Sequence, residues 1–408
     1  MNSGDTAWLL TSTALVLLMT PALAFFYGGM VRRKNLLSTI MMSFAILCLI
    51  SLLWVIYGYS LAFGPDIRGL IGDLSWFGLR GVGQNPSSVY AVTVPHLAFM
   101  AFQATFAIIT VALWTGAVVE RIKFGALLAF AALWFTLVYL PVAHWVWGAG
   151  GWLAKLGALD FAGGTVVHIN AGFSALALAM VLGPRKGYSE GETMEPNNIP
   201  FVVLGASLLW FGWFGFNAGS ALTAGGLASN AFIATNTSAA AAGFTWMILG
   251  WINRRPSVLG AATGAVVGLV AITPAAGFVP VWAAIPIGTI ASLISYYLMV
   301  WRARSSKIDE SLDVFACHGM GGIWGALATG IFATQTVNSA GSGLMDGNWH
   351  QVLIQMIAAI ASMVYAFVVS WLLAQALKAT MGLRVKEEEE EVGLDISQHG
   401  ETAYGGIS

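Results

Sequence analysis

Apolar residues come in long unbroken runs, separated by short polar stretches in which the charges collect. Eleven such runs can be drawn, at roughly 7–30, 36–62, 96–119, 124–146, 162–183, 199–222, 229–251, 257–277, 281–301, 312–334 and 350–379. Each is close to the ~20 residues a helix needs to cross a hydrocarbon core ~30 Å thick. None shows the strict alternation of apolar and polar positions that marks the strand of a membrane barrel. In lipid only helices and closed barrels satisfy every backbone N–H and C=O, so these runs read as helices. The pattern predicts an all-α membrane protein with eleven transmembrane helices.

The basic residues orient them. Arg32, Arg33 and Lys34 follow the first run, Arg121 and Lys123 the third, Arg185 and Lys186 the fifth. Arg254 and Arg255 follow the seventh, Arg302, Arg304 and Lys307 the ninth, and Arg384 and Lys386 the last. The opposite loops hold only Arg68, Arg80 and Lys155. By the positive-inside rule the first set is cytoplasmic. The N-terminus is then outside and the C-terminus inside, as an odd number of spans requires. An odd-numbered unit duplicated as spans 1–5 and 6–10 would be inverted, leaving a final long helix, and inverted repeats place substrate sites at their interface. Residues 1–383 form the membrane domain, and 384–408 a cytoplasmic tail.

Composition agrees. The chain is 58% hydrophobic and 9% charged, against the ~25% charged residues usual in a soluble domain; its mean hydropathy is +0.77. A net charge of −1 offers nucleic acid no attraction. Cys48 and Cys317 lie in apolar runs and read as free core thiols. The segment Met1-Asn-Ser-Gly-Asp5 lacks the basic region of a cleaved signal peptide, so the first run reads as a retained span. The Gly-rich stretch 63–95 and the stretch 335–349 should cover the outer face. The acidic run Glu387–Glu391 reads as a solvated face or a docking tail.

Ionisable groups inside lipid are costly and default to function. No carboxylate, Lys or Arg falls in mid-span; the acids at Asp160 and at Asp309, Glu310 and Asp313 lie near span starts. What remains deep in the spans is His168 and His318. At ~1.5 Å per residue, His168 lies ~12 Å past Asp160 and His318 ~8 Å past Asp313, from opposite faces, so both approach the midplane. One such histidine would pass for a satisfied core residue. Two in matching spans suggest rings that share one hydrogen and keep a nitrogen each for a small polar guest, or a bis-histidine haem site. Aromatic clusters accompany them: Phe102, Gln103 and Phe106; His144, Trp145 and Trp147; and the run Trp210 to Ser220. Desolvated aromatic faces attract cations.

These segments carry a resemblance over essentially the whole length. Phe25-Phe-Tyr-Gly-Gly-Met-Val-Arg-Arg-Lys-Asn35, Asp160-Phe-Ala-Gly-Gly-Thr-Val-Val-His168, Trp210–Ser220, Asp309-Glu-Ser-Leu-Asp313 with His318, and Gly393-Leu-Asp-Ile-Ser-Gln-His-Gly-Glu401 resemble the Amt/Mep/Rh ammonium transporter family, prokaryotic Amt branch. The resemblance implies a transporter or channel for nitrogen uptake in the cell membrane, not an enzyme, with no cofactor or metal. It implies that Trp147, Phe106 and Ser220 bind ammonium at an outer site, with methylammonium an expected second substrate. Phe106 and Phe216 would form a gate; His168, His318, Phe102 and Trp213 would line the pore; Asp160 would be a structural acid near the outer site. It further implies a homotrimer in lipid, and a tail at which a PII-type signalling protein docks. A sensor that transports little is the rival within the family; sensors usually carry an added signalling domain, and this chain ends soon after the tail.

Overall fold

The computed structural model describes residues 1–253, 255–305 and 308–404; Arg254 and Lys307 of the basic loops lie outside the described residues. The chain is a bundle of helices: α1 (Ser3–Met30), α2 (Arg33–Phe63), α3 (His96–Ala117), α4 (Phe124–Leu156, with a turn at 148–151), α5 (Gly164–Leu182), α6 (Ile199–Ala218), α7 (Gly226–Asn253), α8 (Val258–Ile272), α9 (Val281–Arg304), α10 (Phe315–Met320 continued by Gly321–Phe332) and α11 (His350–Thr380). A short α12 (Glu387–Val392) lies in the tail. Among the described residues α1–α7, α9 and α11 are long and apolar enough to cross a membrane. The α8 helix is apolar but has only 15 residues, and α10, though helical throughout, is made less apolar by His318 and by Gly319, Gly321 and Gly322. Two small antiparallel hairpins, β1 (Asp66–Ile67) with β2 (Ile71–Gly72) and β3 (Pro86–Ser87) with β4 (Ala91–Pro95), fold the segment between α2 and α3.

Side-chain caps fix several helix starts. The Asn2 oxygen accepts from the N–H groups of Gly4 and Asp5 at 2.8 and 3.1 Å. Asn198 does the same for Phe201 and Ser257 for Gly260, each at 3.0 Å. Satisfying the free N–H groups of a first turn is worth about 1 kcal/mol. Between helices, small residues let backbones touch, as expected where lipid supplies no hydrophobic drive for association. A Cβ on Gly205 of α6 would sit 2.4 Å from the backbone nitrogen of Phe26 in α1. Large apolar side chains meanwhile face outward, among them Phe44, Phe244 and Trp251. So does Cys48, which is exposed on its helix and is not a core thiol, whereas Cys317 is buried.

The charged loops gather at one end of the bundle. Glu120 stands beside Arg121 in the chain, yet it accepts from the backbone N–H and Nε of Arg32 at 2.6 and 2.7 Å. Arg185, after α5, holds Asp309, before α10, through Nε at 2.8 Å and a second guanidinium nitrogen at 2.9 Å. Arg121 is fully buried and donates to the carbonyls of Ala117, Val119, Gly183 and Asp309 and to the Ser311 hydroxyl. The Arg185–Asp309 pair joins the C-terminal end of α5 to the N-terminal side of α10, so those two helices run in opposite directions.

The tail closes over the same end of its own chain. Glu390 is buried, accepting from Arg384 at 2.7 Å and from the Lys186 N–H at 2.6 Å. Asp395 accepts from the N–H groups of Leu37 and Ser38 in the first turn of α2, at 3.1 and 2.7 Å. The acidic run is thus not a uniformly solvated face.

Candidate functional site

A file of rings runs through the bundle between two cavities. One cavity, about 260 Å³, is lined by Phe102, Gln103, Phe106, Trp147, Asp160 and Ser220 among others. Trp147 stands edge-on to Phe106 with centroids 5.8 Å apart, and Phe102 meets Phe106 at 4.9 Å. The Ser220 hydroxyl donates back to the Phe216 carbonyl at 2.8 Å, which leaves its oxygen lone pairs for a donor in the cavity.

Beyond the cavity Phe106 and Phe216 are in face contact, with centroids 4.2 Å apart and planes 33° from parallel. Phe216 is 6.1 Å from the His168 ring. Trp213 lies 5.5 Å from both and is fixed by an indole N–H bond to Thr273 at 2.8 Å. His168 then meets His318, with centroids 5.2 Å apart and Nδ1 to Nδ1 3.1 Å. His318 lines the second cavity, about 340 Å³, with Tyr27, Trp246, Ser257, Ser311 and Asp313. The side chains that the resemblance assigns to the pathway lie in this file or beside it; of the wider aromatic clusters, His144 bonds Ala62 and Asp66, Trp145 packs on Trp152 and Tyr365, and Phe211 faces outward.

The backbone of this region is unusual. His168, Phe216 and His318 all sit on π-helical turns, at Gly164–Ile169, Phe214–Ala218 and Phe315–Met320. Such turns are rare and are common at functional sites. Two contacts between glycines and their neighbours set the distance between α5 and α10. A Cβ on Gly172 would lie 2.2 Å from the Gly319 nitrogen, and one on Gly322 would lie 3.1 Å from the His168 Cβ. Sequence reasoning passed over these glycines; spaced four residues from each histidine, Gly172 and Gly322 were the available signal.

Chemistry follows from the atoms. A single hydrogen occupies the Nδ1–Nδ1 contact, so one ring donates there and the other accepts. In the neutral pair one outward nitrogen is a donor and the other an acceptor. The outward Nε2 of His168 is buried with no hydrogen-bond partner in the protein. An unpaired buried polar atom costs about 1–3 kcal/mol, so a small polar guest that bonded this nitrogen would offset that cost.

Asp160 offers no charge to that guest directly. One carboxylate oxygen accepts from the N–H groups of Gly163 and Gly164 at 2.8 and 2.6 Å, the other from Thr165 and Val166 at 2.9 and 3.1 Å. Its own carbonyl accepts from the Trp147 indole at 2.9 Å. Burial pushes the Asp160 carboxyl up to about 6, a rise held back by the four backbone N–H groups. The side chain therefore builds the first turn of α5 and anchors Trp147 at once.

The sequence matches the Ammonium Transporter Family over residues 7–404. It is 53% identical over 405 residues to the ammonium transporter Amt1 of Archaeoglobus fulgidus, covering 99% of this chain and 100% of that one. It is 51% identical over 406 residues to an ammonium transporter of Bacillus subtilis, covering 99% of each. The crystal structure of Saccharomyces cerevisiae Mep2 superposes with a TM-score of 0.91 at 35% identity, covering 100% of this chain and 93% of that chain.

Proposed function

As the chain belongs to the ammonium transporter family, and so is a multi-pass membrane transporter and not an enzyme, we propose how it handles its substrate. Ammonium is recruited in the outer cavity by the faces of Trp147 and Phe106 and by the lone pairs of Ser220. Desolvated cation–π contacts contribute about 2 kcal/mol or more. Moving a bare ammonium-sized ion into a medium of low dielectric costs on the order of 20 kcal/mol. The outer site cannot offset that along the whole path, and no mid-span carboxylate stands by to do so. The ion is therefore deprotonated near the Phe106–Phe216 gate, its proton going either back to water in the outer cavity (silent conduction) or on through the imidazole pair (net charge movement), and ammonia passes Phe102, Trp213, His168 and His318. Potassium has no proton to lose and is refused. Methylammonium, with the same dissociable proton, follows ammonium.

The observation that carries this reading is the histidine pair, with its Nδ1 atoms 3.1 Å apart, which opens on one cavity at His318 and is divided from the other by the Phe106 and Phe216 rings. Haem ligation is disfavoured because the two ring nitrogens face each other without room for a metal between them. Around this core, α8 and α10 complete eleven spans, with spans 1–5 and 6–10 as an inverted repeat, the N-terminus outside and the C-terminus inside. Residues 1–383 form the transporter domain. The tail, 384–408, regulates it as the docking face for a PII-type protein. Three such chains assemble in lipid, each with its own pathway.

The test is current on a solid-supported membrane carrying proteoliposomes. An ammonium pulse should give a transient or, for silent ammonia conduction, a pH change in the lumen; a potassium pulse should give neither. Replacing His168 and His318 together by Ala should abolish transport or admit potassium. Unaltered ammonium-selective transport in that variant refutes the assignment.

A further inference from the structure

Both histidine helices begin with the same device, though their sequences there share little. Asp160 stands eight residues before His168, and Glu310 eight residues before His318. Each acid is buried. Each accepts from backbone N–H groups at the start of the π turn that carries its histidine: Asp160 from residues 163–166, Glu310 from Val314 at 3.0 Å and Phe315 at 3.2 Å. The residue five before each histidine has left-handed backbone, Gly163 with φ 115° and Asp313 with φ 57°. A left-handed non-glycine residue costs roughly 1–2 kcal/mol. Arg302 holds Asp313 there through two guanidinium nitrogens at 2.8 and 2.6 Å. The helices run in opposite directions, so the two devices lie at opposite ends of the pathway.

We propose that Glu310 is the positioning residue for His318, setting the rotation of its π turn so that the ring meets His168 at one face and the inner cavity at the other. An α-turn and a π-turn place the residues that follow at different angles around the axis. Whichever groups satisfy the first N–H groups therefore choose where the fourth residue after them points. The two backbone N–H groups donate to different oxygens of the one buried carboxyl group, which ties both to a single orientation, and the bonds are about twice as strong when it is ionised. Glu310 acts through His318 and touches no substrate. The inference rests on the proposed role of the histidine pair.

Its test compares Glu310→Gln, which keeps one carbonyl oxygen for two N–H groups, with Glu310→Ala and with His318→Ala, in proteoliposomes normalised for inserted protein. Maximal ammonium current should fall in the order wild type, Gln, Ala, by about tenfold at the end of the series, because a displaced reacting group is costly. The half-saturating ammonium concentration, set at the outer cavity, should stay within about twofold, since uniform binding there is untouched. Selectivity against potassium should degrade in parallel. A merely structural acid would lower the amount of inserted protein and leave normalised current and selectivity alone. If Glu310→Ala does not insert, Glu310→Gln decides: wild-type maximal current and selectivity in it overturn the inference. Wild-type behaviour of His318→Ala would instead overturn the histidine reading beneath it.

Discussion

Gly172 on α5 meets Gly319 on α10 backbone to backbone, one residue past His318 and four past His168. A methyl group at 172 would stand 2.2 Å from the Gly319 nitrogen and 2.4 Å from its Cα, where Cβ atoms do not come nearer than 3.0 Å. Both obstacles are backbone, so neither can swing aside; the helices must part by about 0.8 Å or more, since packed interiors have no slack to absorb it. That motion is transmitted almost undiminished to the ring contact, because the clash is adjacent to it. The Nδ1–Nδ1 separation of 3.1 Å would then open beyond hydrogen-bond range. Overpacking of this kind costs about 1–3 kcal/mol of stability, which a protein of this size survives. A misplacement of about 1 Å costs up to about 100-fold in rate. Gly172→Ala should therefore insert and run as a monodisperse peak in detergent, yet show ammonium transport reduced about 10- to 100-fold in proteoliposomes. The control is Gly225→Ala, where an added Cβ meets nothing within 4 Å, and which should transport normally. A well-folded Gly172→Ala protein with wild-type transport would refute the idea that the close approach of these helices sets the histidine geometry.

Two further predictions concern the acids. Asp160→Ala strands four buried N–H groups at about 1–3 kcal/mol each before relaxation, so methylammonium uptake should fall at least about tenfold and the midpoint of thermal unfolding should drop; Asp160→Asn, which keeps one oxygen, should lie between, and an alanine variant equal to wild type in both assays would contradict the capping role. Burial, with the Asp313 carboxylate nearby, pushes the Glu310 carboxyl from its ordinary 4.5 up to about 7, against the pull of Arg302 and two backbone N–H groups. The folded protein then binds this proton more tightly than the unfolded chain does, so stability falls as pH rises between those two values and levels off above. Asp160, at about 6, adds the same sign over a lower window. Asp309 has the opposite sign: burial alone would raise its carboxyl, but Arg185 and Arg121 hold it below the usual range, so its contribution is lost only in stronger acid. Glu310→Gln isolates the Glu310 share: the unfolding midpoint of wild type minus that of the variant should fall as pH rises from 5 to 7.5, and a difference independent of pH assigns the titration elsewhere.

The membrane class and the approximate positions of the helices were written in the pattern of residues, because burial in lipid demands long apolar runs and loops must hold the charges; the family came from the resemblance of particular motifs. The His168 and His318 candidates were legible for the same reason: a polar ring in mid-span has to be justified. The two acids eight residues ahead of them were also on the page, but only Asp160 drew attention; Glu310 looked like one more charge at a helix start until its carboxylate was seen turned onto backbone N–H groups. Glu120 shows the other limit. Its neighbour in sequence is Arg121, its partner in space is Arg32, 88 residues away, and nothing local distinguishes the two.

What the sequence determined by itself was therefore everything governed by transfer into lipid, a property of each segment alone. What only the tertiary structure decided was which atoms meet: that the oppositely directed α5 and α10 touch through a glycine contact, that the imidazoles face each other at Nδ1, that the tail folds back on its own chain, and that the Asp160 oxygens are spent on backbone. Those are pairings between segments distant in the chain, fixed by close packing over a few tenths of an ångström, and no run of residues carries that information on its own.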